Sequence, residues 1–350
     1  MQALENTNLT ALEELPAPLA LKQRQPASPG AARSVTAARA ALRDALHGRD
    51  GRLVAIVGPC SLHDPNAALD YARKLRALAG ELADDVLVLM RAYFEKPRTT
   101  VGWKGLVNDP HLDGSCDVAG GLALARELLG EIAGLGLPCA TEFLDPITPQ
   151  YLADLVAWAA IGARTAESQT HREMASGLSM PVGIKNGTDG SVQVAIDAVT
   201  AARHPHVFLG VSEAGRASVV RTTGNRDAHV VLRGGRSGPN WDAAAIGAAA
   251  ERMAKLALAR GIVVDCSHEN SGKQPARQLE VAHALADVGP GGAPALLGVM
   301  LESNLVGGRQ DWRPGAQHAY GVSITDACSG FDESASALRA LARSWRARSR

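Results

Sequence analysis

Eight short apolar runs, separated for the most part by amphipathic stretches, limit what this chain can fold into. The runs lie at 52–58, 86–92, 138–143, 156–161, 181–186, 206–211, 261–267 and 296–302. Amphipathic segments at 65–80, 118–134, 169–179, 191–203, 241–260 and 275–287 separate most of them. Strand alternating with helix implies parallel pairing, because a parallel neighbour is reached only through a crossover. Eight such units predict an α/β fold, a closed (β/α)8 TIM barrel, with a doubly wound open sheet as the alternative that periodicity leaves. Segments 217–222 and 226–233 alternate with period two around Thr223-Gly224-Asn225, which predicts a β-hairpin, spanning 214–233, inserted after strand six. Residues 1–50 read as an amino-terminal extension, with Ser34 capping a helix over 35–48, and 51–350 as the catalytic barrel.

Composition narrows the function classes. Lys plus Arg and Asp plus Glu are 36 each, so no global field draws the chain to nucleic acid or to a membrane surface. Any affinity for anions must then be local. Residues 1–15 are acidic and polar, unlike a signal peptide, and the apolar runs are far shorter than the ~20 residues a membrane helix needs. Cys60, Cys116, Cys139, Cys266 and Cys328 are odd in number and scattered, which predicts reduced thiols in a cytoplasmic protein.

In a barrel of this kind the chemistry gathers at the carboxyl ends of the strands. Strand one runs into Gly58-Pro59-Cys60, strand two into Arg91 and strand three into Glu142. Strand four is followed by Arg164, strand five carries Lys185, strand seven ends in Asp265-Cys266-Ser267-His268, and strand eight reaches Glu302. Wet strand ends explain one or two charges but not such a series. The cations Arg91, Lys96, Arg98, Arg164, Lys185 and Arg233 would repel one another at one barrel mouth unless several anionic groups bound there. That points to substrates carrying phosphate and carboxylate. Cys60, His268, Glu302 and Asp326 mix a thiol, an imidazole and two carboxylates, a donor set suited to a divalent transition metal rather than to Mg²⁺ or Ca²⁺. A nucleophilic Cys–His pair competes with this reading, and spacing alone leaves His63 and Cys266 open beside it.

The segments GPCSLHDP (58–65), MRAYFEKPRTTVGWKGLVNDP (90–110), GARTAESQTHREMASGLSMPVGIKNGTDG (162–190), LRGG (232–235), DCSHENSGK (265–273) and YGVSITDAC (320–328) resemble the motifs of the type I DAHP synthases, the phospho-2-dehydro-3-deoxyheptonate aldolases. The resemblance spans nearly the whole chain. It implies a transferase that condenses phosphoenolpyruvate with erythrose 4-phosphate, the first step of the shikimate pathway to the aromatic amino acids. It also implies a divalent metal ion (Mn²⁺, Fe²⁺ or Co²⁺, with Zn²⁺ possible) on Cys60, His268, Glu302 and Asp326. Phosphoenolpyruvate would be held by Arg91, Lys96, Arg164, Lys185 and Arg233 with Glu142 nearby, and the tetrose phosphate by Arg98 and Thr99. Lys96, His268 and Cys60 are the candidate catalytic residues. The resemblance further implies a homodimer or homotetramer under feedback inhibition by an aromatic amino acid. The effector cavity is expected near Pro149, Gln150, Ser179 on a helix over 174–180, and Gly210, closed by Asn6 of a neighbouring subunit. Gly210, where phenylalanine-sensitive members carry serine, favours tyrosine as the effector.

Overall fold

The computed structural model describes residues 4–259 and 261–346. Its strands are β1 (Leu53–Gly58), β2 (Val86–Arg91), β3 (Cys139–Glu142), β4 (Trp158–Ile161), β5 (Val182–Lys185), β6 (Val207–Val211), β7 (Ala217–Arg221), β8 (Ala228–Leu232), β9 (Ile262–Asp265), β10 (Leu296–Asn304) and β11 (Ser329–Gly330). Its α-helices are α1 (Pro18–Arg24), α2 (Pro29–Leu46), α3 (Pro65–Glu81), α4 (Val118–Gly134), α5 (Thr148–Leu152), α6 (Gln169–Gly177), α7 (Val192–Ala202), α8 (Ala243–Lys255), α9 (Pro275–Gly292) and α10 (Phe331–Arg346). The parallel order β1-β2-β3-β4-β5-β8-β9-β10 closes through β1–β10, where Val54 to Gly58 pair with Gly298 to Glu302. The chain is the (β/α)8 barrel that the rhythm predicts.

One strand assignment needs correction. The run at 206–211 is not the sixth barrel strand; β6 pairs antiparallel with β7, Val207 opposite Arg221, in a separate two-stranded sheet. The sixth barrel strand is β8, whose Val182-side partner is β5. The hairpin therefore precedes the sixth strand rather than following it. Exposure shows the reason. A barrel strand is covered on both faces, and β8 is buried throughout, whereas Leu209 of β6 is 89% exposed. Thr223-Gly224-Asn225 is also not a hairpin turn. A Cβ on Gly224 would lie 2.2 Å from the Arg203 carbonyl oxygen, and Asn225 Nδ2 donates to the carbonyls of Ala175, Leu178 and Met180. The true turn is Ser212–Gly215.

A second correction concerns the extension. Its main helix starts at Pro29 rather than Val35, because Ser28 accepts from the Ala31 amide and Pro29 pre-sets the first turn. This helix buries Ala38, Leu42, Ala45 and Leu46 in one apolar cluster with the barrel-lining Val54, Ile56, Leu89, Trp158 and Val263. Ala157 and Leu297, at the amino-terminal ends of their strands, belong to the same cluster, so α2 plugs the barrel floor. Above the plug, Gly183 makes room for the Trp158 indole; a Cβ there would sit 2.2 Å from Cζ2. With the floor filled, the opposite mouth is left for ligands.

Candidate active site

At that mouth the strand ends deliver the predicted side chains. Cys60 follows β1, Arg91 ends β2, Glu142 ends β3, Lys185 ends β5, Arg233 follows β8, and Glu302 lies in β10. Together with the loops they border a cavity of about 610 Å³ whose wall includes Arg91, Lys96, Arg98, Thr99, Glu142, Arg164, Lys185, Arg233, His268 and Asp326. Cys60 and Glu302 are not on that wall but touch residues that are, Lys96 Nζ donating to Cys60 Sγ and Arg91 Nη2 to Glu302.

Cys60 Sγ and carboxylate oxygens of Glu302 and Asp326 lie within 4.8 Å of one another. His268 Nε2 approaches Glu302 Oε1 at 3.9 Å. The backbone of His268 adopts a left-handed φ of 53°, unusual for a residue with a side chain and a mark of an imposed position. Its other ring nitrogen lies 2.9 Å from the Asp265 carboxylate, which orients the imidazole as outer partners of metal ligands do. A sulfur, a nitrogen and two carboxylates converging in a largely buried corner fit a divalent transition metal. A Cys–His nucleophile pair is not what the site presents, because Lys96 Nζ, rather than the imidazole, donates to the sulfur, at 3.0 Å.

The ionisation of the group follows from its packing. Burial pushes the Cys60 thiol up and Glu302 adds to that, against the pull of Lys96 and Arg91. Burial opposes the charge on Lys96, yet Cys60 and Glu302 hold its ammonium above the usual lysine value. Burial likewise opposes ionisation of Glu142 and Asp265, but Lys185 depresses Glu142, and His268 with Lys185 holds Asp265 well below the usual carboxylate range. Lys185 Nζ bridges the two, 3.1 Å from Glu142 and 3.4 Å from Asp265. It is raised because their attraction outweighs its desolvation.

Arg91 joins the donor group to the cation group. Fully buried, it donates from Nη2 to Glu302 at 2.9 Å and from Nε to the Pro59 carbonyl at 3.1 Å, and it stacks on the Tyr93 ring. Its Nη1 is buried with no acceptor among the described residues. A buried guanidinium nitrogen costs free energy unless something accepts from it, so the cavity is built for an anion there. Arg98 and Thr99 lie exposed at the rim, with Arg98 Nε on the Trp103 carbonyl at 2.7 Å, and Arg164 is likewise exposed.

Several lining residues are additions to the predicted set: Thr188, Arg236, Glu269, Lys273 and Thr325. Arg236 directly follows LRGG, and Asp265 stands three residues before His268, so the first adjoins and the second lies in a segment already singled out. The residues expected to bind an effector are spread differently. The mouth cavity is lined by none of Asn6, Pro149, Gln150, Ser179 and Gly210. Pro149 and Gln150 lie in α5, and Gly210 lies in β6, a hairpin strand rather than the end of a barrel strand. Ser179 follows α6, which ends at Gly177 and does not reach 180, and Asn6 is exposed, its carbonyl accepting from the Leu9 amide at the start of a turn. Segment 16–25 links two of these places, since Tyr151 donates to the Pro16 carbonyl and the Leu19 amide to the Glu213 carbonyl in the hairpin turn.

A parallel barrel with a plugged floor, a metal-fitting donor corner and a ring of cations at its mouth defines an enzyme class acting on anionic substrates. The family model of the DAHP synthetase I family matches residues 23–339. The chain is 51% identical over 344 residues to the Phe-sensitive phospho-2-dehydro-3-deoxyheptonate aldolase of Escherichia coli K12, covering 98% of each chain. It is 50% identical over 340 residues to the Tyr-sensitive aldolase of the same organism, covering 97% of this chain and 95% of that one. The solved phospho-2-dehydro-3-deoxyheptonate aldolase of Francisella tularensis superposes with a TM-score of 0.95 at 45% identity, over 97% of this chain and 99% of that one. The chain belongs to the DAHP synthetase I family and is an enzyme of that family.

Proposed function

We propose that this barrel works as a phospho-2-dehydro-3-deoxyheptonate aldolase, joining phosphoenolpyruvate to erythrose 4-phosphate and water, with release of phosphate, at the head of aromatic amino acid synthesis. The observation that carries the reading is the Arg91–Glu302 contact, which couples the donor corner to the cation ring in one cavity. Cys60, His268, Glu302 and Asp326 would hold the divalent metal, Mn²⁺, Fe²⁺ or Co²⁺ by preference, with Zn²⁺ also suited to these donors. When bound, such an ion supplies Lewis-acid polarisation of the aldehyde oxygen.

The side chains do the rest. Arg164, Lys185 and Arg233 bind the phosphate of phosphoenolpyruvate, and the unpartnered Nη1 of Arg91 donates to its carboxylate. Glu142 and Asp265 keep Lys185 charged and fixed. Arg98 and Thr99 bind the phosphate of the tetrose, which turns its aldehyde toward the donor corner. The methylene carbon of phosphoenolpyruvate then attacks the aldehyde carbon, water adds at the carbon bearing phosphate, and that C–O bond breaks. Lys96, held as an ammonium, is the candidate proton donor to the former aldehyde oxygen or to water.

For regulation, the effector is tyrosine, bound near Pro149, Gln150, Ser179 and Gly210. Phe- and Tyr-sensitive relatives resemble the chain about equally, at 51% and 50%. Overall likeness therefore does not decide the effector, and the argument rests on Gly210 leaving room for a ring hydroxyl that Asn6 of a neighbouring subunit would accept or donate to. The exposed apolar residues Leu209 and Val219 on the hairpin and Leu4 and Leu12 on the extension support a homodimer or homotetramer. No helix among the described residues is long and apolar enough to cross a membrane. Inorganic phosphate should appear only when both substrates and a divalent metal are present; release with phosphoenolpyruvate alone would discard the reading.

A further inference from the structure

We infer that Glu269 is a built-in counter-ion of the phosphate pocket, a carboxylate that holds the place of an anion and must be displaced when phosphate binds. The inference rests on the reading of Arg233 as a phosphate-binding residue. Glu269 Oε1 lies 3.8 Å from Arg233 Nη2 and 3.7 Å from Lys273 Nζ, and all three residues line the mouth cavity. One carboxylate oxygen thus lies near two cations on the wall of the cavity that, on the proposed reading, takes the phosphate.

The placement is fixed by backbone. Glu269 belongs to the short turn His268–Asn270, and Asn270 Nδ2 anchors that turn to the carbonyls of Leu232 and Asp265. Gly234, with φ +71°, lets the turn pack on the strand end after β8; a Cβ there would meet the Glu269 carbonyl carbon and the Asn270 nitrogen at 2.7 Å. The turn cannot back away, so only the side chain of Glu269 can yield. That side chain is a third exposed, and both its ion pairs are long. Such a pair is weak and replaceable. A phosphate dianion offers more charge and more acceptor oxygens to Arg233 than one carboxylate oxygen does. The arrangement balances the cation cluster when the pocket holds no phosphate, and competes with phosphate for the same guanidinium. It sets phosphate affinity below what the cations alone would give, which favours release of the phosphate product.

The test compares the metal-loaded wild type with Glu269→Gln and Arg233→Lys, using inorganic phosphate as the probe. Binding is read by titration calorimetry and by inhibition competitive with phosphoenolpyruvate. Glu269→Gln should tighten phosphate roughly 3- to 10-fold and lower the Michaelis constant for phosphoenolpyruvate, whereas Arg233→Lys should weaken both. Unchanged or weaker phosphate binding in Glu269→Gln, with Arg233→Lys weakened as expected, overturns the counter-ion role. Phosphate binding unaffected by Arg233→Lys overturns the underlying assignment of Arg233 instead.

Discussion

Lys96 Nζ lies 3.0 Å from Cys60 Sγ and 3.2 Å from the Cys60 carbonyl oxygen, so one ammonium holds both ends of this residue. A buried thiol with Glu302 nearby resists ionisation, and Lys96 is the main group working against that. The thiolate is the form that ligates metal. Lys96→Met should therefore lower metal affinity as well as turnover, and Cys60→Ala should abolish metal-dependent turnover while leaving the circular dichroism of the barrel intact. Metal content after dialysis and activity after chelation check both. Full activity in exhaustively metal-free enzyme would refute the donor assignment.

On the proposed assignment, the cations separate by substrate. Arg164→Ala and Arg233→Ala should raise the Michaelis constant for phosphoenolpyruvate, and Arg98→Ala that for the tetrose phosphate. Each lost charge-assisted contact is worth about 1.5–3 kcal/mol, roughly 10- to 150-fold. Steady-state kinetics with each substrate varied in turn decides the matter; an Arg98→Ala effect confined to phosphoenolpyruvate would reverse the assignment.

Arg91 behaves differently, because it is buried against a buried carboxylate. Arg91→Ala leaves Glu302 uncompensated, a loss of roughly 3–5 kcal/mol of stability. Thermal denaturation should show a clear drop for Arg91→Ala and little change for the exposed Arg98→Ala. Similar melting temperatures for the two variants would contradict the buried ion pair.

Glu95 supplies a pH dependence of stability. Burial raises its carboxyl from 4.5 to about 7, although the amides of Leu144 and Asp145 and the Thr148 hydroxyl donate to it. Between those values the folded chain holds a proton that the unfolded chain releases. Stability from this group is thus greatest at low pH and falls as pH rises through that window, by an amount on the order of 3 kcal/mol. Glu95→Gln should flatten this part of the curve of unfolding free energy against pH. An unchanged slope in the variant would exclude the raised value.

Tyrosine should inhibit more strongly than phenylalanine or tryptophan at sub-millimolar concentration. Gly210→Ser should weaken that inhibition, and the hairpin adds a complication: a Cβ at Gly210 would lie 2.7 Å from Val220 Cγ2, so Val220 must shift. Activity with each amino acid, on wild type and variant, reads the effect directly. Stronger inhibition of the wild type by phenylalanine would reject tyrosine as its effector.

The sequence by itself determined the barrel and most of its mouth. Hydrophobic period and strand-end chemistry are local properties, so Cys60, Arg91, Glu142, Lys185 and Glu302 could be read from where apolar runs stop. Asp326 follows no apolar run, and only the folded loops show it beside Cys60 and Glu302. Other features were settled only by tertiary structure. Strands β6 and β8 are both short and apolar, and only burial on two faces, against exposure of Leu209, tells a barrel strand from a hairpin strand. Gly224 looks like a turn residue in sequence, yet it is a glycine because the Arg203 carbonyl passes close by. The partner of Lys96, the partnerless nitrogen of Arg91 and the position of Glu269 near two cations are likewise distances between residues far apart in the chain, or set by a turn folded against another strand. Period and composition carry no record of such distances, because they depend on how the closed barrel brings its strand ends together.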